Sequence, residues 1–223
     1  MKQMFFDLDI SSNQTLENFF VGKNNELIGL LNNFVNNTNK SKKNNNCITI
    51  WGESGSGKSH LFSALSQFDH SKIITEYDNL IDLNLSTNHS LYLIDNFENL
   101  SNDFHKSIFF LYNQIMEANK VLIIFSGISP RNLKIKKDLQ SRILWGLVYQ
   151  LYGLSDEDKI SAILQTTKIK GIKISKKIVV YLLTHFKRDM NSLSNIIHIA
   201  DQLSLETKRP ITIQMIREII RKH

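Results

Sequence analysis

One cysteine, Cys47, is all the thiol chemistry in this 223-residue chain. An internal disulfide and a cysteine-based metal cage are therefore excluded, and burial is the expected role of Cys47. Long apolar runs are missing as well: no stretch reaches the ~18 residues that a membrane-crossing helix needs. The start, MKQMFFDLDISSN, is interrupted by acids and lacks the long apolar core of a signal peptide. The default address is the cytoplasm. With 42% hydrophobic and 22% charged residues, the chain reads as soluble and globular, with room for one large domain or two small ones. An acidic excess is absent too. The net charge of +6 and a pI near 9.3 permit contact with nucleic acid or another polyanion without demanding it. Lysine and arginine gather at Lys40, Lys42 and Lys43, at Lys134, Lys136 and Lys137, between Lys168 and Lys177, and from Arg217 to Lys222. Each cluster reads first as a solvated face.

Four apolar runs, CITIWG at 47–52, KIITEY at 72–77, SLYLIDN at 90–96 and KVLIIFSG at 120–127, are separated by helix-length segments. Short Ile-, Val- and Leu-rich runs at that spacing predict a parallel sheet covered on both faces. The polar segment NNTNKSKKNNN at 36–46 reads as a mobile surface loop. Beyond about residue 154 the strand signal stops. Ser155 with Asp158 makes a capping box before DKISAILQTTKI, Ser175 can cap KKIVVYLLTHF, and Asp189 can cap MNSLSNIIHIADQLSL. Thr212 precedes IQMIREIIRK, where Ile216, Ile219 and Ile220 share a helical face. The predicted architecture is an α/β parallel-sheet sandwich over 13–153 and a small all-helical domain over 154–223.

The first predicted strand runs directly into GESGSGKS at 52–59 and then into the helical HLFSALSQF. That is G-x-x-x-x-G-K-S in a strand, loop, helix context. Gly52, Gly55 and Gly57 let the backbone aim successive N–H groups at phosphate oxygens, with the positive end of the helix dipole behind them. Ser54, Ser56 and His60 complete the nucleotide-binding stretch, Lys58 is suited to the β and γ phosphates, and Ser59 to Mg²⁺. ADP or ATP with Mg²⁺ is the expected ligand. The strand LYLI ends in Asp95, placed for the metal-side carboxylate. Asn96 stands directly after it, where many ATPases carry the glutamate that activates water; Glu98 is the nearest alternative. Slow intrinsic hydrolysis follows, and with it a long-lived bound nucleotide.

The order TLENFFVGKNNEL, GESGSGKSHLFSAL, LYLIDNFENL, LQSRILWGLVYQL, LSDEDKISAI resembles the DnaA branch of the AAA+ P-loop ATPases over nearly the whole chain. Within that branch, IDNFE and the stretch from RILWG to LSDEDK look most like the DnaA-related regulatory inactivators, the Hda family. The resemblance implies that the helical domain is the AAA+ lid, that Phe20, Val21 and Gly22 line the adenine pocket, and that Arg142 is an arginine finger acting on nucleotide held by a neighbouring AAA+ protein. A rigid, permanently charged guanidinium suits that task. It further implies that Gln3, Met4, Phe5, Phe6 and Leu8, in a tail over 1–12, resemble the peptide that binds the DNA polymerase sliding clamp, with apolar anchors entering a groove and the glutamine amide setting register. The family's initiators carry a helix-turn-helix domain after the lid and a partner-binding domain before the ATPase; this sequence is expected to have neither. Two departures stand out: Asn191 falls where the family lid supplies an arginine, leaving Arg188 or Lys187 as substitutes, and SGISPRNL lacks the expected acidic sensor, leaving Ser126 or Ser129. Both point toward a switch or adaptor. The implied function is a nucleotide-bound adaptor that joins the clamp to DnaA, promotes hydrolysis of DnaA-bound ATP and so negatively regulates replication initiation. The competing readings are an autonomous DNA-associated ATPase such as a helicase loader, and a DnaA-like initiation factor. Nonspecific DNA contact and homo-oligomer formation stay open.

Overall fold

In the computed structural model, residues 14–36, 46–78 and 88–222 are described. The chain divides into two compact units, residues 1–153 and 154–223. Among its described residues the first unit is built on a five-stranded parallel sheet. Its elements run α1 (Asn25–Asn36), β1 (Cys47–Trp51), α2 (Lys58–Ser66), β2 (Ser71–Ile73), β3 (Leu91–Ile94), α3 (Asn102–Glu117), β4 (Val121–Ser126), α4 (Lys137–Trp145) and β5 (Leu147–Gln150). The strand order is β2-β3-β4-β1-β5. Parallel neighbours require crossover helices, and those helices cover both faces, so the central strands are apolar on both sides.

Strand β4 shows the two faces in alternation. Leu122 and Ile124 join Tyr92, Ile94 and the α3 residues Ile108, Leu111 and Ile115 in one core. Val121, Ile123 and Phe125 join Ile48, Ile50, Leu31 and Leu61 on the other. Each fully buried Leu, Ile or Phe contributes about 1.5–3 kcal/mol by removal from water. Cys47 is buried in the first of these cores, and desolvation pushes its thiol up to about 12. It is an inert core residue, in line with the expectation from sequence.

One expected strand is shorter than its apolar run, and two elements were not expected at all. KIITEY does not stay extended: β2 ends at Ile73 because the Asp78 carboxylate accepts from both Thr75 N (2.7 Å) and Thr75 Oγ1 (2.9 Å), closing a turn. The edge strand β5 escaped the sequence reading. It is four residues long with alternating burial, and it follows α4 after a single glycine, so no long apolar run announces it. Helix α1 was likewise unannounced. Residues 37–45 of the expected surface loop lie outside the described residues.

The second unit is all helix: α5 (Asp156–Ile169), α6 (Lys176–His185), α7 (Met190–Thr207) and α8 (Ile213–Lys222). Ser155 caps α5, its hydroxyl accepting from Asp158 N at 3.1 Å and donating to the Asp158 carboxylate at 2.7 Å; this differs from the expected capping box, in which the carboxylate would accept from the Ser155 backbone N–H. Asp189 accepts from Ser192 N at 2.8 Å, and Thr212 Oγ1 from Met215 N at 3.2 Å. Ser175 stands at the N-cap of α6, yet its hydroxyl makes no cap bond. The core gathers Ile163, Val179, Leu182, Leu193, Ala200, Ile216 and Ile219 from all four helices. No helix among the described residues is long and apolar enough to cross a membrane.

Candidate nucleotide site

The loop between β1 and α2 is shaped for an anion. Gly55 and Gly57 hold φ of 79° and 105°, angles that side chains other than glycine rarely tolerate. Gly57 is also the N-cap of α2 and offers no side-chain cap, so the first N–H groups of that helix await an acceptor. A Cβ on Gly52 would lie 2.5 Å from the Leu151 carbonyl. Ser56 Oγ is buried without a hydrogen-bond partner, an orphaned polar atom inside the cradle. Lys58 Nζ curls back to donate to Gly52 O (2.6 Å) and Glu53 O (2.9 Å), and Ser59 is exposed. A glycine cradle, an uncapped helix and a lysine held by loop carbonyls fit a nucleotide polyphosphate.

Two carboxylates meet beside it. Asp95 follows β3 and is half-buried, and Asn96 N donates to its Oδ1 at 2.8 Å. Burial pushes the Asp95 carboxyl above the usual carboxylate range, and the neighbouring Glu98 charge adds to the rise. The Asn96 N–H and the Lys58 ammonium pull against it. Asp95, Glu98 and Lys58 therefore share one electrostatic neighbourhood. Asn96 itself is exposed, in the left-handed conformation at φ 48°. Glu98 is half-buried: its Oε2 lacks a partner, and its Oε1 occupies the space that a side chain on Gly127 would need. A Mg²⁺ ion with Ser59 and Asp95 as its protein ligands would take its remaining oxygens from phosphate and water. Ser126, at the end of β4, is buried with its hydroxyl spent on its own turn, donating to Ile128 O at 2.9 Å and accepting from Ile128 N at 3.2 Å.

The segment before α1 folds over the loop. Phe19, one residue ahead of the expected Phe20, packs edge-on to His60 with centroids 5.3 Å apart, and its ring fills the space a Cβ on Gly57 would enter, 2.9 Å away. His60 Nε2 pairs with Thr15 O at 2.9 Å. Phe20 and Val21 are half-buried and Gly22 has φ 50°. Buried Asn24 anchors the segment, donating to Val21 O and Tyr152 O and accepting from Tyr152 N. Phe19 and Asn24 went unnoticed in the sequence. The FFVG run was the available signal, but nothing local tells which phenylalanine turns inward.

Residues 156–220 match the family described as Hda, lid domain, and residues 10–80 match the bacterial DnaA ATPase domain. An uncharacterized protein of Haemophilus influenzae is 32% identical over 98% of both chains. The chain belongs to the DnaA-related, Hda-like family of AAA+ proteins. Among solved structures, domain III of the Thermotoga maritima replication initiation protein DnaA superposes with a TM-score of 0.75 at 19% identity, covering 95% of this chain and 97% of that one. AMPPCP-bound DnaA from Aquifex aeolicus gives 0.72 at 21%, over 95% of this chain and 69% of that one. The parallel sheet and the helical lid are thus the AAA+ fold of the DnaA branch.

In this Hda-like chain Arg142 lies on the last turn of α4, half-buried. Its Nη1 donates to Asn113 Oδ1 at 2.6 Å, and its guanidinium lies 4.5 Å from the Phe109 ring centre and 5.6 Å from that of Tyr112. The sequence thus pointed to Arg142 but not to the α3 residues that hold it. In the lid, Arg188 pairs with Asp156 at 3.6 Å. Nothing is described for the Asn191 side chain. Gln3, Met4, Phe5, Phe6 and Leu8 lie outside the described residues.

Proposed function

We propose that this chain is a nucleotide-bound adaptor of replication initiation: residues 3–8 dock on the sliding clamp, and Arg142 completes the ATPase site of DnaA. The Hda-lid match over 156–220 carries the reading, because it separates this chain from the initiators whose ATPase fold it shares. The site agrees with it. Phe20, Val21 and Gly22 face the base; the loop amides and Lys58 hold phosphate; Ser59 and Asp95 hold Mg²⁺, which when bound screens phosphate charge. Asn96 brings no carboxylate to the place after Asp95, so the chain keeps its nucleotide. Arg142, a cation preset by Asn113 and Phe109, offsets charge developing on phosphate held by another subunit.

The test follows DnaA-bound ATP over time with purified chain, clamp and DNA, omitting each in turn. Loss of DnaA-ATP should require all components. Arg142→Ala should stop it while nucleotide affinity stays intact, and Gln3, Phe5 and Phe6 replaced by alanine should abolish clamp binding without unfolding. Full activity of Arg142→Ala, or unaltered clamp affinity of the tail variant, rejects the adaptor.

One observation favours a second reading. Glu98 lies beside Asp95 and Gly127, where a carboxylate can orient water for the chain's own nucleotide. An autonomous DNA-associated ATPase would show DNA-stimulated turnover without DnaA, abolished in Glu98→Gln.

A further inference from the structure

The excess positive charge of this chain belongs to one unit. Residues 1–153 hold fourteen Lys and Arg against fourteen Asp and Glu, whereas residues 154–223 hold thirteen against seven, so the whole net charge of +6 falls in the helical unit. Within it, α6 and α8 place a row of cations around an organised aromatic. Tyr181 stacks on His185, with centroids 4.2 Å apart and planes at 18°. The Arg217 guanidinium lies 5.4 Å from the Tyr181 ring centre, and its Nε donates to Tyr181 Oη at 3.1 Å. Lys177 stands one turn before Tyr181 on α6 and Arg221 one turn after Arg217 on α8, and all three cations are exposed.

We infer that this α6–α8 face of the lid is a docking surface for the phosphodiester backbone of duplex DNA, independent of the nucleotide site and of the adaptor reading. Three observations argue for it. Ion pairs among the described residues of this unit engage Lys159 and Arg188 with Asp156 and leave out Lys177, Arg217 and Arg221. The acid of α8, Glu218, is met instead by Gln214 Nε2 at 3.5 Å. And Arg217 is preset: the bond to Tyr181 engages one of its five N–H donors, and the two Nη groups can fork onto a pair of phosphate oxygens. Holding the arginine against a ring lowers the entropy lost on binding, which a solvated lysine run does not do. Tyr181 is already engaged by His185 and Arg217, so it fixes a cation and offers no open platform to a base. The surface therefore reads backbone and not sequence.

Fluorescence anisotropy of the full-length chain with a short labelled DNA duplex of mixed sequence, without DnaA or clamp, tests this. Binding should weaken with salt in a linear log-log relation. Replacing Lys177, Arg217 and Arg221 together by glutamate should lower affinity about tenfold or more at low salt and shallow the salt slope by about one for each cation lost. The same charge change at Lys134, Lys136 and Lys137 in the first unit should change affinity far less. Arg217→Lys keeps the charge but loses the fork and the ring contact, and should bind more weakly than wild type yet better than the triple variant. Far-UV circular dichroism confirms folding of each. Equal losses from the two triple variants would trace binding to net charge and overturn the inference. So would salt-insensitive binding by the wild type, or preference for a single-stranded oligonucleotide that Tyr181→Ala abolishes. Retention on phosphatidylglycerol vesicles with no duplex binding would assign the surface to a membrane instead.

Discussion

Burying Asp95 costs the folded chain stability once its carboxyl ionises. Its carboxyl is raised in the folded chain, first by burial and then by Glu98, so the folded state holds the proton more tightly than the unfolded one. The nucleotide-free protein should lose stability as pH rises from the ordinary value of 3.8 through the raised one. Asp95→Asn should remove that loss and raise Tm at neutral pH, while weakening Mg²⁺-dependent nucleotide binding. In the wild type, Mg²⁺-nucleotide affinity should begin to fall at a higher pH than an ordinary aspartate would give. Thermal melts and calorimetry across pH check both signs; an unchanged or lower Tm of the variant contradicts them. Gly57 is determined twice over, by a φ of 105° and by the Phe19 ring against it. Only the first of these is foreshadowed by the motif.

Among the helices, a capping residue in the sequence and a working cap in the fold are separable. Ser155, Ser175 and Asp189 read alike, but Ser175 makes no cap bond whereas Ser155 makes a reciprocal pair with Asp158. Ser155→Ala should cost about 1 kcal/mol, and Ser175→Ala should stay within about 0.5 kcal/mol. Urea titrations of the two variants decide it, and equal losses would undo the distinction. The sheet teaches a similar lesson. Strands β1, β3 and β4 were legible because burial on both faces requires unbroken apolar runs. The edges were not: β5 alternates because only one face is packed, and β2 stops where the Asp78 carboxylate diverts the backbone.

Across the whole molecule the two units carry different spectroscopic signals. Both tryptophans, Trp51 and Trp145, lie in residues 1–153, while the regular elements described beyond residue 153 are helices alone. ATP with Mg²⁺ at about a hundred times Kd should stabilise the unit that binds it by about 2.7 kcal/mol. The tryptophan-detected midpoint should rise accordingly, a far-UV component from the helical unit should stay in place, and Lys58→Ala should cancel the rise. Midpoints that move together by both probes would show that the units unfold as one.

The chain's own order of residues settled whatever depends on covalent neighbours. A strand, a glycine loop, a lysine and a helix start are contiguous, so the strand, glycine loop and helix of residues 47–66 are visible before any fold is known, as are the Asp95 terminus of β3 and the helical character beyond residue 154. What folding alone decided are meetings between residues far apart in sequence. Phe19 against Gly57, Glu98 against Gly127, Arg142 on Phe109 and Asn113, and Arg217 on Tyr181 each join segments whose approach is set by sheet order and helix packing. No local pattern encodes such a contact, because its energy exists only once the intervening chain has closed.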